Sequence, residues 1–212
     1  MRRKTIYLIR HGETDYNRKG VVQGSGIDAE LNEIGRAQAE AFYDAYGHVP
    51  FDKIYTSALV RTRQSVEKFI RSGIPYEQFS GLNEISWGIY EGTAHTSGDD
   101  AAYQGILECW RNGETDKAME GGESPAQVRD RQLPVLKHIL SQSQERNILI
   151  ATHGRAMRIL LATLLNEPLA QMDKYPHNNL CLYKLEYTAE KNTADILLTN
   201  DITHLLALHV SG

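Results

Sequence analysis

Two histidines each stand just after an apolar run and just before a glycine. Arg10-His11-Gly12-Glu13 follows Thr5-Ile6-Tyr7-Leu8-Ile9, and His153-Gly154 follows Asn147-Ile148-Leu149-Ile150-Ala151-Thr152. An imidazole changes charge near neutral pH and can act as nucleophile, proton carrier or donor. An arginine beside it adds a planar fork that matches phosphate oxygens. One such histidine alone is more often structural. Two of them, delivered by two similar runs, point to a single phosphate site.

Both runs are β-branched and apolar enough to be strands covered on both faces, and they are expected to be central and parallel. In open α/β sheets ligands collect beyond the carboxyl ends of the strands. Arg10, His11 and His153 therefore converge if these strands are neighbours. The reading requires the two rings to face each other across a gap wide enough for a PO3 unit, flanked by guanidinium groups.

Elsewhere, Leu31 to Phe42 has apolar residues at helical spacing, closed by Gly47 and Pro50. Lys53-Ile54-Tyr55-Thr56 reads as a further parallel strand, and Ser57 to Ile70 as a helix with Arg61 in its first turn. That position lies near the positive pole of the helix, where an anion is favoured. Residues 81–123 are glycine-rich and weakly periodic apart from Ala101 to Trp110, and are expected to form a lid-like excursion that sets substrate selectivity. Ser124-Pro125-Ala126-Gln127 carries a capping box with proline at the first helical position, opening a helix to about Ser141. Ala156 to Leu165 is again helical. Leu180 to Tyr187 and Asp195 to Thr199 alternate like a hairpin of antiparallel edge strands. The expectation is one domain over 1–212: a three-layer, doubly wound α/β fold with a mostly parallel sheet.

The chain has 212 residues, 41% hydrophobic and 24% charged, which suits one soluble globular core. No apolar stretch is long enough for a membrane span, and the basic start leads into too short a run for a signal peptide, so export is not expected. Cys109 and Cys181 are far apart without a Cys-x-x-Cys spacing, so neither a disulfide nor a zinc site is suggested and a cytoplasmic location is expected. A net charge of −4 disfavours nucleic acid as a partner but leaves room for a local arginine pocket. Trp87, Tyr90 and Trp110 are candidates for a pocket lining or an interface, and a homodimer is one possible assembly.

Taken in order, these residues resemble the histidine phosphatase superfamily, the phosphoglycerate mutase-like family. The resemblance spans most of the chain: Leu8 to Thr14 with Asn17, Gln23-Gly24, Leu31-Asn32 with Gly35 and Gln38, Thr56-Ser57 with Arg61 and Gln64, Leu82 with Glu84, Gly88 and Glu91-Gly92, Gly121 to Ser124, Thr152-His153-Gly154, and Asp201 to Leu205. It implies the mutase-like fold, a phosphohistidine on His11, and neither metal nor cofactor. It implies Arg10 and Arg61 as bidentate holders of phosphate oxygens, with His153 and Asn17 adding donors and His153 cationic or becoming so when phosphate binds. Glu84 takes the general-acid position, with its pKa raised by burial or by the phosphate's charge. Gln23, Gly24, Gly154 and Asn179 are further candidates for the substrate pocket. Glu13 is expected to orient the arginines and Glu91 to cap or pair. The roles of Glu91, Glu123 and His204 are open, with a structural role favoured for His204. His48, His95, His138, His177 and His209 have no motif support and are read as surface or core filler.

Two departures bear on substrate. Against the resembled family, the segment Gln23 to Leu31 is one residue longer than usual, with Glu30 where proline is common, and residues 93–120 lack an arginine-rich insertion like the one that holds bisphosphoglycerate in glycolytic mutases. Only Arg111 and Lys117 are basic there. The expected activity is therefore metal-independent phosphomonoester hydrolysis of a small phosphorylated metabolite. A cofactor-dependent phosphoglycerate mutase is the alternative, followed by a catalytically silent phosphate-binding or interaction domain. A metal hydrolase is disfavoured because no ligand spacing accompanies either His-Gly pair.

Overall fold

The computed structural model describes residues 3–94 and 101–209. Its centre is one six-stranded sheet in the order β3-β2-β4-β1-β5-β6. The first half of the chain supplies β1 (Arg3–Arg10), the short α1 (Asp15–Arg18), α2 (Glu33–Tyr46), β2 (Lys53–Ser57), α3 (Val60–Ser65), α4 (Glu67–Arg71) and β3 (Tyr76–Phe79). The second half adds α5 (Ala101–Arg111), α6 (Pro125–Ser141), β4 (Asn147–Thr152), α7 (Gly154–Leu164), β5 (Leu182–Thr188) and β6 (Thr193–Asp201).

The two apolar runs are the central neighbours β1 and β4, parallel and in register, with Arg10 opposite Thr152. Side chains alternate across the sheet, so Ile6, Leu8, Ile148 and Ile150 fill one core layer while Tyr7, Ile9, Leu149 and Ala151 fill the other. Both faces are covered, which is why these strands read as continuous apolar runs. Because the strands are in register, the residues that follow them emerge side by side, and His11 N–H donates to Thr152 O at 3.0 Å.

Several boundaries differ from expectation. The helix expected from Leu31 begins at Glu33, because the Asn32 side chain accepts from Gly35 N–H at 2.9 Å and caps it. The helix after His153 starts at Gly154, two residues earlier than its apolar pattern suggests. The helix expected over Ser57 to Ile70 is broken at Val66, where φ is −122°. Thr62 Oγ1 and Ser65 Oγ donate to Leu59 O and Arg61 O, competing with the backbone ladder. Ser65 Oγ also accepts from Gly12 N–H, so the break serves the loop that carries His11. Strand β3 was not visible in the sequence: Tyr-Glu-Gln-Phe is short, mixed in polarity and lies on an edge. Of the expected pair of edge strands only β6 lies at an edge, since β5 is sandwiched between β1 and β6.

The described part of 81–123 is less open than a lid. Ile85, Trp87, Leu107, Trp110 and Met119 pack with Ile159, Ala162 and Met172 into a third apolar cluster. Residues 95–100, with His95, lie outside the described residues, as does the side chain of His209. Trp110 is fully buried and Tyr90 packs against this cluster, while Trp87 reaches the cleft described next.

Candidate active site

A cleft of about 150 Å3 opens beyond the carboxyl ends of β1 and β4. Arg10, His11, Asn17 and Gln23 line it from the β1 side, and Glu84, Trp87 and Tyr103 from the 81–123 segment. Gly154, Arg155 and His177 complete the wall. A larger groove of about 370 Å3, lined by residues such as Leu136, Leu164 and Tyr187, contains neither histidine nor arginine, so the chemistry belongs to the smaller cleft.

His11 Nδ1 lies 2.7 Å from Gly12 O. A carbonyl only accepts, so Nδ1 carries the proton and Nε2 keeps the lone pair. Burial, aided by the charges of Arg61 and Arg10, pushes this imidazole well below its usual pKa. The ring is neutral and basic at one nitrogen.

His153 is held as the opposite tautomer. Arg61 Nε–H donates to its Nδ1 at 3.2 Å, so its proton is on Nε2, which donates to Ser57 Oγ at 2.8 Å. Burial and Arg61 hold its pKa well below normal, so His153 is neutral here rather than cationic. Its ring centroid is 5.2 Å from that of His11. The two rings do converge; His11 lines the cleft, whereas His153 is fully buried and is not among the residues that line it.

The two arginines also divide. Arg10 lines the cleft, with one terminal nitrogen donating to His177 O at 2.7 Å and a buried Nε that has no partner among the described residues. Arg61 is fully buried, donating to Ile27 O at 2.7 Å and to Gly24 O at 3.3 Å. Its pKa is pushed down to about 10 by burial. The unusual loop after Gln23 is thus the cradle of Arg61, and Asp28 within it accepts from Val60 N–H at the start of α3. Glu30 merely pairs with Arg36 at the surface.

The Glu84 carboxylate sits at the N-terminus of α7. It accepts from Ala156 N–H at 2.8 Å, Arg155 N–H at 3.1 Å and Ile85 N–H at 2.9 Å. Gln23 lines the cleft, its Nε2 without a partner among the described residues and its Oε1 taken by Thr14 Oγ1. Asn17 lines the cleft, whereas Asn179 braces it from behind by donating to His11 O and Asn17 Oδ1, both at 3.1 Å. Gly24 also lies behind, where a Cβ would meet the Glu91 carboxylate at 2.1 Å.

The remaining acidic residues are structural. Glu13 bonds Arg18 and Asn32 rather than the cleft arginines. Glu91 accepts from Trp87 N–H, and Glu123 holds Arg131 and Ser86 N–H. His204 donates to Leu180 O and packs against Phe42. His48 is exposed, and His138 packs on Phe79 beside Glu77.

Four residues lining the cleft carry no motif signal in the sequence: Val22, Tyr103, Arg155 and His177. His177 was read as filler, yet it lines the cleft and its Nε2 would lie 3.1 Å from a Cβ at Gly154. Burial beside Arg10 and Arg158 pushes its pKa down to about 2. Arg155 follows His153-Gly154 directly and lines the cleft from the first turn of α7.

The model of the histidine phosphatase superfamily, branch 1, matches residues 6–201. The chain belongs to this superfamily. It is 32% identical over 184 residues to a glucosyl-3-phosphoglycerate phosphatase of Mycolicibacterium vanbaalenii, covering 83% of this chain and 79% of that one. A probable phosphoglycerate mutase of Salmonella choleraesuis is 27% identical over 208 residues, 94% of each chain. Among solved structures, the native mycobacterial glucosyl-3-phosphoglycerate phosphatase superposes with a TM-score of 0.81 at 27% identity, covering 94% of this chain and 99% of that one. The histidine phosphatase fold is therefore shared over nearly the whole chain.

Proposed function

We propose that this histidine phosphatase hydrolyses the phosphate monoester of a small metabolite through a phosphohistidine on His11, without a metal ion. The observation that carries the reading is the 2.7 Å contact between His11 Nδ1 and Gly12 O, which assigns the tautomer of His11. With Nδ1–H anchored on Gly12 O, Nε2 is the free basic nitrogen of a ring that lines the cleft. That lone pair attacks phosphorus as the ester P–O bond breaks, and Glu84 delivers a proton to the departing alkoxide. Water, deprotonated by the same carboxylate, then attacks phosphorus. The P–N bond breaks, and inorganic phosphate and neutral His11 are regenerated.

Charge on the transferring phosphoryl group is met by Arg10 directly and by the buried positive charge of Arg61 behind His153. Asn17 and Gln23 add amide donors. Among the described residues no group of three His, Cys, Asp or Glu is arranged to hold a metal ion. No helix among them is long and apolar enough to cross a membrane. Cys109 and Cys181 are both free thiols, which suits a reducing cytoplasm.

A mutase is the second reading, favoured by the Salmonella relative's name. Against it, the basic residues of 93–120 are engaged elsewhere, Arg111 with Asp173 and Lys117 with Glu114. Rapid quench in alkaline detergent with a 32P-labelled monoester should trap an acid-labile, base-stable phosphoprotein that His11→Ala abolishes together with turnover. Phosphate release undiminished in that variant would reject the nucleophile. Isomerisation of 3-phosphoglycerate, dependent on bisphosphoglycerate and with negligible phosphate release, would favour the mutase.

A further inference from the structure

Residues 83–86, which include Glu84, belong to no helix or strand, so their backbone acceptors have no ladder of their own. Side chains from other elements take them instead. Arg131 of α6 donates from Nη1 to Gly81 O at 2.8 Å and to Asn83 O at 3.0 Å, and from Nη2 to Glu84 O at 2.9 Å. Its Nε and Nη2 also grip the Glu123 carboxylate, at 2.8 and 3.0 Å. All five N–H groups of the guanidinium fork are thereby used. Glu123 in turn accepts from Ser86 N–H and donates its own N–H to Ser86 O, both at 2.9 Å. Thr152 Oγ1, at the end of β4, donates to Leu82 O at 2.9 Å. The next residue of α6 acts on the other end of Glu84. Gln132, fully buried, donates to Ala156 O at 2.8 Å, and Ala156 N–H is one of the donors that hold the Glu84 carboxylate. Two adjacent residues of α6 thus reach both the main chain of Glu84 and the turn of α7 that binds its side chain.

We propose that Arg131 is a positioning residue for proton transfer: paired with Glu123, it fixes the main chain around Glu84 and so aims the carboxyl group at the leaving oxygen. The inference rests on Glu84 as the proton donor of the reaction proposed above and adds the residues that hold it in place. Arg131 does not line the cleft and bonds Glu84 through its carbonyl, so it acts on the reaction only through Glu84. A catalytic group displaced by about 1 Å can lose about 100-fold in rate, which gives a backbone clamp at this point a kinetic role. A lysine ammonium, with three donors around one point, does not reproduce a planar fork that spans three carbonyls and a carboxylate.

The test measures leaving-group release in a single turnover of the full chain with phenyl phosphate and with p-nitrophenyl phosphate, esters of similar shape whose leaving groups differ in basicity. Glu84→Gln should lower the ratio of the phenyl to the p-nitrophenyl rate by at least about tenfold, and Arg131→Lys by at least about threefold. KM for either ester should stay within about twofold in Arg131→Lys, because no contact with substrate is removed. In the Glu84→Gln background Arg131→Lys should change the ratio no further. Equal losses with both esters in Arg131→Lys, at a lowered thermal midpoint, would show a structural role only and overturn the proposal. A further fall in the ratio on top of Glu84→Gln would overturn it too. Should Arg131→Lys fail to fold, Glu123→Gln decides on the same ratio, since it keeps an acceptor for Ser86 N–H but loses one of the two oxygens that hold Arg131. A ratio that falls in Glu84→Gln and in neither other variant removes this proposal alone. A ratio unchanged in Glu84→Gln removes the proton donor and this proposal with it, and no hydrolysis of either ester removes the phosphatase reading as well.

Discussion

Arg61 Nε donates to His153 Nδ1 at 3.2 Å, and that one bond decides where the proton of His153 resides. It leaves Nε2–H on Ser57 and keeps the ring neutral. The rest of the Arg61 guanidinium is fixed by Ile27 O and Gly24 O, a three-way hold that an ammonium group does not reproduce. Arg61→Lys should therefore lower kcat at least about 100-fold, in the range of a lost charge-stabilising group. NMR of His153 should also show Nδ1 released from its donor. Wild-type kcat in Arg61→Lys would mean that the buried charge is only structural.

Acidification should both inactivate and destabilise the protein, in different windows. His11 is held well below the ordinary imidazole range, so the acid limb of kcat/KM should fall clearly below pH 6.5. For stability, His11, His153, His177 and His204 all have depressed pKa values in the folded chain. Between the folded values and about 6.5 the unfolded chain binds more protons, so stability is fully present above about pH 6.5 and is lost as pH falls. Each such histidine contributes a slope of about 1.4 kcal/mol per pH unit. The depressed carboxylates Glu123 and Asp173 act in the same direction but only below their ordinary values of 4.5 and 3.8. Urea unfolding in phosphate-free buffer from pH 7.5 to 5 should show the loss, and His177→Gln should make the slope shallower. A flat profile would count against buried neutral histidines.

The loop that carries His11 has no room beside α2. A Cβ at Gly35 would lie 2.1 Å from Glu13 O, and one at Gly12 would lie 2.6 Å from Gly35 O. Both obstacles are backbone, so neither can swing aside. Gly35→Ala should cost about 1–3 kcal/mol, as overpacking does. It should also lower kcat, because Glu13 is bonded through its N–H to Gln38 and the loop has little freedom to retreat. Equal urea midpoints for variant and wild type would show that the approach is looser than drawn.

How much of this was legible beforehand follows from what each signal depends on. Strands β1 and β4 are buried on both faces, so their periodicity and the convergence of Arg10, His11 and His153 could be read directly. The break at Val66 was hidden because it depends on side-chain bonds from Thr62 and Ser65 and on a tertiary contact with Gly12. The retreat of Arg61 depends on carbonyls of a loop more than thirty residues away in sequence. His177 and Arg155 gained their places from packing against the cleft, where residue type alone gives no periodic pattern.

Metal independence is checked simply. Phosphate release should be unchanged after prolonged dialysis against a strong chelator and should gain nothing from added divalent ions. Loss on dialysis with recovery on one metal would replace the phosphohistidine mechanism with a metal-assisted one.

Glu84 offers the sharpest separation of chemistry from architecture, because its carboxylate both faces the cleft and accepts two backbone N–H groups at the start of α7, besides that of Ile85. A proton donor matters in proportion to the basicity of the leaving group. Glu84→Gln should therefore lower kcat for an alkyl phosphate by about 100- to 10,000-fold, the usual weight of general acid–base catalysis. For p-nitrophenyl phosphate, whose phenolate leaves without a proton, the loss in phosphohistidine formation should be less than about tenfold. The amide also turns one donor toward backbone N–H groups, so α7 must be monitored through the thermal midpoint. If both esters lose activity equally while the midpoint falls, Glu84 only anchors the helix that carries Arg155, and the leaving group must draw its proton from elsewhere in the cleft.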